Sequence, residues 1–228
     1  MIYTLGMYII GFPLIEKFDL MDVANPYEIF NWMKPFWRES GGELNVRLIG
    51  HKKKAAVVSF NGAALTTQES FDAAPQLDGI FIPGGGDAYI DNAIADTKLI
   101  DFVRKQSKKA KWVASVCTGA FVLAEAGLLD GRQATTHWLY LSKLQAKYPK
   151  VQIVNGFPRH VADGKFMTGG GISSGVDEAL TLAGKIAGEQ VGRDIELAIQ
   201  YRPQAPYGVG DPSVADYGTW KEVTTDLA

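Results

Sequence analysis

The sequence predicts an α/β domain: a mostly parallel sheet with helices on both faces. Three features predict it. Short apolar runs alternate with helix-length periodic segments over residues 5–200, as in strand–helix–strand units. Runs such as "GIFI" and "KWVASV" are continuously apolar rather than alternating, which suits strands covered on both faces. Glycine-rich segments, "IPGGGDAY" and "MTGGGISSG", stand where such runs end. With 228 residues, 46% apolar and 11% aromatic, the chain is large enough for one sizeable domain.

In chain order, "TLGMYIIGF" reads as a buried strand, "NPYEIFNWMKPFW" as a helix, and "LNVRLIG" and "KAAVVSF" as strands. "LDGIFIPGGG" is a strand running into a glycine-rich loop whose charged continuation, "GGGDAY", borders the site entrance. "DTKLIDFVRKQSKKA" carries Leu99, Ile100 and Val103 on one face and is a helix leading into the strand "KWVASV". "TGAFVLAEAGLL" is a helix stopping near Gly127, and "WLYLSKLQAKY" is a helix closed by Pro149. "VQIVN" is a strand, Asp163-Gly164 turns a hairpin in "RHVADGKFMTGG", and "SSGVDEALTLAGKIAG" is a helix. Residues 1–200 form the domain. Residues 201–228, rich in proline and glycine, form an irregular arm lying on the body or on a partner subunit.

Several function classes are disfavoured by composition. Lys and Arg number 23 against 25 Asp and Glu, a formal charge of -2, which leaves no electrostatic footprint for nucleic acid or an anionic membrane. The basic run Lys52 to Lys54 belongs to a solvated turn. The apolar opening lacks a basic start and a cleavage site and is too short and interrupted to span a bilayer, so no export or membrane segment is expected. A single cysteine fits a reducing cytoplasm and excludes thiolate-rich zinc sites.

That cysteine, Cys117, lies between "KWVASV" and a helix opened by Thr118 and Gly119. In open parallel sheets ligands bind beyond the carboxyl ends of strands. A thiol at a sharp strand-to-helix turn would feel the positive end of the helix dipole, which favours thiolate. Free cysteine is also a common core residue, and position by itself leaves packing and chemistry both open.

The blocks "LDGIFIPGGG", "VASVCTGAFVLAEAGLLDGRQATTHW" and "MTGGGISSGVDEALTLA" resemble those of the ThiJ/PfpI superfamily of glutamine-amidotransferase-like proteins, and within it the bacterial isocyanide hydratases. The resemblance implies a flavodoxin-like three-layer α/β/α sandwich with Cys117 as nucleophile on a strained elbow, a homodimer, and no metal or organic cofactor. It implies an acid after the first strand. Aligning Asn25-Pro26 with the family's turn selects Asp22, with Asp19 and Glu16 as competing positions and a helix N-cap as the structural alternative. Crowding with a thiolate should raise that acid's pKa.

The resemblance also assigns the backbone amides of Gly85 and Thr118 to an oxyanion-type pocket, near Gly86, and places Ile172 against the site as an apolar wall. The glycine run lacks the Lys-Ser/Thr and the spacing of phosphate loops. Protease-like relatives have histidine directly after the nucleophile, where this chain has Thr118, and no glutaminase-like His-x-Glu pair follows. His51 beside the lysines and His160 in the hairpin are expected at the surface, leaving His137 as the imidazole that could line the pocket. A cysteine–carboxyl pair without a histidine base suits a small uncharged electrophile such as an isocyanide, which thiolate attack converts to a thioimidate and water to an N-substituted formamide, with Asp22 moving protons. Aromatics of "YEIFNWMKPFW" are expected in the core and dimer surface. Glyoxalase, deglycase or oxidation-sensing chemistry is the alternative for the same pair. The helix-turn-helix regulators of the superfamily are disfavoured by the short, proline-rich tail.

Overall fold

The computed structural model describes residues 6–39 and 41–215, and every structural statement here concerns them. The chain alternates as expected: β1 (Met7–Pro13), α1 (Leu20–Trp32), α2 (Lys34–Glu39), β2 (Glu43–Gly50), the hairpin β3 (Ala56–Val58) and β4 (Ala64–Thr66), and β5 (Glu69–Ser70). Then follow β6 (Gly79–Ile82), α3 (Asp87–Ala95), α4 (Thr97–Ser107), β7 (Trp112–Ser115) and α5 (Ala120–Glu125). The last third holds β8 (Gln133–Ala134), α6 (Leu141–Lys147), β9 (Gln152–Ile153), β10 (His160–Asp163), β11 (Phe166–Gly169), α7 (Ser174–Ala187) and α8 (Glu189–Ala198).

The main sheet has the order β10-β11-β7-β6-β1-β2-β5. Every neighbouring pair is parallel except β10 with β11, the hairpin expected at Asp163-Gly164. All four residues of β6 and of β11 are buried, as continuous apolar runs require when helices cover both faces. α7 packs on both α1 and α8, and α3, α4 and α5 form a second group. The result is a three-layer α/β/α sandwich. The chain first builds outward from β1 through β2 to β5, then returns to β6 on the other side of β1. That reversal is the switch point at which strand-end loops separate and leave a crevice.

Four elements depart from the sequence reading. "KAAVVSF" leaves the main sheet and forms the side hairpin of β3 and β4, and "VQIVN" contributes β9, which pairs only with β8. Strand propensity says that a segment is extended but not which neighbour it joins. "GGGDAY" is not an open loop: Asp87 starts α3 and pairs with Lys143 at 2.6 Å. The helix over "NPYEIFNWMKPFW" begins earlier, at Leu20, capped by Asp19, whose carboxylate accepts the Met21 N–H at 3.0 Å. It also breaks at Met33, because Pro35 has no N–H with which to continue the ladder.

The tail departs in another way. Tyr201 donates its hydroxyl to Asp177 on α7 at 3.1 Å, and the exposed segment beyond it returns to the body with a single turn at Pro212–Val214. Residues 216–228 of the expected arm lie outside the described residues.

Candidate active site

Four adjacent strands, β11, β7, β6 and β1, deliver their carboxyl ends to the switch point. β7 ends at Ser115, two residues before Cys117, which adopts φ +55, the left-handed region that side-chain-bearing residues rarely occupy. The bend is pinned on both sides. Cys117 donates its N–H to Gly170 O at 2.9 Å, and its carbonyl accepts the Thr136 hydroxyl at 2.7 Å. Such a strained backbone persists where the surroundings over-determine it, and active sites are the usual place.

β6 ends at Ile82 and is followed by Pro83 and Gly84, and Gly84 ties the site together. Its carbonyl accepts the Asp19 N–H at 2.8 Å, and its own N–H donates to Asp22 Oδ2 at 2.8 Å. A Cβ on Gly84 would collide with the backbone nitrogen of Thr118, so only glycine lets these two loops close on each other.

Asp22 lies in the first turn of α1, not in the preceding loop and not at the cap, which Asp19 occupies. Its side chain is fully buried and its Oδ1 accepts no hydrogen bond. Burial holds the Asp22 carboxyl well above the usual carboxylate range, and the charge of Asp19 adds to this. The Gly84 N–H and the Cys117 thiol pull the other way. Of the three acids weighed from sequence, Asp22 is the one coupled closely to the sulfur. Asp19 is raised by its own burial and acts on the thiol less strongly than Asp22, while Glu16 accepts the Val58 N–H at 2.9 Å and serves the side hairpin.

The expected low thiol pKa is not what the surroundings give. Burial pushes the Cys117 thiol well up, Asp22 adds to the rise, and the Thr118 N–H only partly opposes it. The helix behind the sulfur starts as one turn of 3-10 helix and α5 is only six residues long, so its dipole is weak against this burial. Burial therefore raises both the thiol and the carboxyl, and each acts on the other.

The oxyanion-type pairing of Gly85 with Thr118 also takes another form. Gly85 donates its N–H to Thr118 Oγ1 at 2.8 Å, and that hydroxyl donates back to Gly85 O at 2.6 Å. The Gly85 amide is thus spent on a loop crosslink, and the Thr118 amide serves the sulfur. Gly86 is exposed and forms the N-cap of α3.

Beside Cys117 opens a cleft of about 360 Å3, walled by His137, Trp138, Phe157, Arg159, Ile172 and, from the tail, Pro212. His137 and Ile172 both line this cleft, as do Phe157 and the tail, which the sequence did not point to. Phe157 is a second side-chain-bearing residue at positive φ, +51, near the site. His137 Nδ1 accepts the Leu139 N–H at 3.3 Å, leaving the proton on Nε2, and burial lowers its pKa from 6.5 to about 4. The imidazole is neutral, with its N–H on Nε2. Among the groups that act on the sulfur there is no histidine. His51 pairs with Asp96 at 2.6 Å, and His160 is half-buried on β10 rather than at the surface.

One further acid sits beneath the pair. Glu178 of α7 is fully buried and feels the charge of Asp22. It falls on the buried stripe of Ser174, Gly175, Ala179, Leu182 and Ala183, so a carboxylate at a core position of an amphipathic helix was the available sequence signal.

Over 206 residues, 90% of this chain and 84% of the relative, the sequence is 36% identical to an isonitrile hydratase of Pseudomonas putida. It is 27% identical over 118 residues to the deglycase PfpI of Pyrococcus furiosus, covering 50% of this chain and 68% of that one. It is also 28% identical over 194 residues to the transcriptional regulator GbdR of Pseudomonas aeruginosa, covering 83% of this chain and 48% of the regulator. A crystal structure of a ThiJ/PfpI family protein from Pseudomonas syringae superposes with a TM-score of 0.84 at 25% identity, covering 98% of this chain and 87% of that one. No helix among the described residues is long and apolar enough to cross a membrane. The family model described as DJ-1/PfpI matches residues 10–187, the span from β1 to the end of α7 that carries the strand ends, the bent cysteine and the buried acid, and the chain belongs to that family.

Proposed function

We propose that the protein is a cysteine-dependent hydratase acting on isocyanides, with Cys117 as nucleophile and Asp22 as the proton-transferring acid and base. The observation that carries this reading is the buried thiol–carboxyl pair with no imidazole acting on the sulfur. Acyl transfer needs a base that remains available while an amine leaves. Addition to an isocyanide expels no such group, and one carboxyl can serve every step.

Sulfur attacks the terminal carbon of R–N≡C, and the thiol proton, passed through Asp22, ends on that same carbon, giving the thioimidate Cys117–S–CH=N–R. Water then adds to the carbon while its proton reaches nitrogen through Asp22. As the C–S bond breaks, the hydroxyl proton returns to sulfur and R–NH–CHO departs. The sum is one isocyanide and one water to one N-substituted formamide, with no redox change. The Nε2–H of His137 and the aromatic walls of the cleft suit an uncharged substrate with one polar end. This reading carries with it a homodimer without resident cofactor.

Formamide release from an aryl or alkyl isocyanide, followed by chromatography, tests it. Wild type should form the product, with Cys117→Ala and Asp22→Asn each at least about a hundredfold slower. Consumption of methylglyoxal without any formamide from isocyanides would favour the deglycase-like reading instead.

A further inference from the structure

Glu178 has no role in the reaction written above, yet its position is costly. Both Oε1 and Oε2 are buried without a hydrogen-bond partner, and so is Oγ of Ser174, one turn earlier on the same face of α7. A Cβ on Gly169 would collide with Glu178 Oε2 and stand 3.3 Å from Ser174 Oγ, so both oxygens crowd the backbone at the end of β11. α7 packs on α1 through Gly175, where a Cβ would meet Pro26 at 3.5 Å, and this approach brings Glu178 within reach of the charge of Asp22. Asp22 offers an unpartnered oxygen of its own, Oδ1. Buried polar atoms without partners are rare, and several together point to a shared hydrogen-bonded arrangement.

We propose that Glu178 is a positioning residue that, as a neutral carboxylic acid, donates through one bridging water to Oδ1 of Asp22, with Ser174 Oγ completing the arrangement. Two oxygens of Asp22 would then be held from opposite sides, Oδ2 by Gly84 and Oδ1 by Glu178. Held in this way, Asp22 is stabilised as the carboxylate, and the proton of the pair rests on sulfur. Burial first and the Asp22 charge second keep the proton on Glu178.

The other charged groups around α7 are engaged elsewhere. Asp177 binds Arg159, His160 on β10 responds to Asp177, Arg159 and Lys185, and on α8 Arg193 pairs with Glu189 at the surface. The charge that acts on Glu178 is that of Asp22.

The inference rests on Cys117 and Asp22 being the reactive pair, but its test needs no isocyanide. Cys117 is the only cysteine, so the pH profile of alkylation by iodoacetamide, read by mass spectrometry on the intact protein, reports its thiolate directly. In Glu178→Leu the donor is gone, Asp22 becomes a poorer anion and takes the proton from sulfur, and alkylation near neutral pH should rise roughly fivefold. Glu178→Gln keeps an uncharged donor and should follow wild type, with Glu178→Met as the apolar substitute if leucine prevents folding. Leu and Gln variants that match each other, whether both equal to wild type or both shifted, overturn the proposal. A wild type that makes no formamide overturns the hydratase reading and leaves this comparison intact.

Discussion

Gly85 and Thr118 are joined twice, N–H to Oγ1 at 2.8 Å and Oγ1 to carbonyl at 2.6 Å, so that one hydroxyl clamps the β6 loop to the turn that holds Cys117. Thr118 is fully buried, and Thr118→Val would leave both backbone groups of Gly85 without a partner. The expected loss is about 2–4 kcal/mol in urea denaturation, with Thr118→Ser close to wild type. If valine cost no more than serine, the clamp would contribute nothing.

The left-handed backbone at Cys117 makes an unusual stability order. In ordinary strands and helices glycine is less stable than alanine by roughly 0.5–1 kcal/mol. At φ +55 alanine carries the steric penalty and glycine does not, so Cys117→Gly should be more stable than Cys117→Ala by about 1 kcal/mol, with both inactive. Paired denaturation curves of the two variants decide it, and the ordinary order would show that the bend is not strained.

His137 gives a pH dependence of defined direction. Burial lowers its pKa from 6.5 to about 4, so protonation favours the unfolded chain. The stability it contributes is complete above about pH 6.5 and is lost as pH falls toward 4. Wild type should therefore lose up to about 2 kcal/mol more than His137→Gln over that interval, seen as a steeper fall of Tm. Between pH 6.5 and 8 the imidazole stays neutral and should add no limb to the activity profile. Parallel Tm curves for the two proteins would refute the buried neutral state.

Much of the site could be read from residue order because it is made at strand ends. "VASVCTG" marks a strand, a turn and a helix in succession, and the glycines of "IPGGG" mark a place where backbone must approach backbone. The family resemblance selected Asp22 by aligning Asn25-Pro26 with the family's turn, and the start of α1 at Leu20 with Asp19 as its cap is what sets Asp22 apart from Asp19 and Glu16. Glu178 stood in plain view on the apolar stripe of α7. Its meaning was hidden because the residue it faces lies 156 positions earlier in the chain.

By itself, the sequence determined the alternation of strands and helices, the burial of the central strands on both faces, and the family, since these depend on local patterns of apolar residues and on short glycine-containing blocks. Tertiary structure decided the protonation of the site and the use of its amides. A thiol predicted to be acidic from a helix N-terminus is held up by burial beside Asp22, and the Gly85 amide predicted for an oxyanion is taken by Thr118. Both outcomes turn on desolvation and on which donors meet which acceptors across loops, and those quantities exist only once β1, β6, β7 and β11 stand side by side.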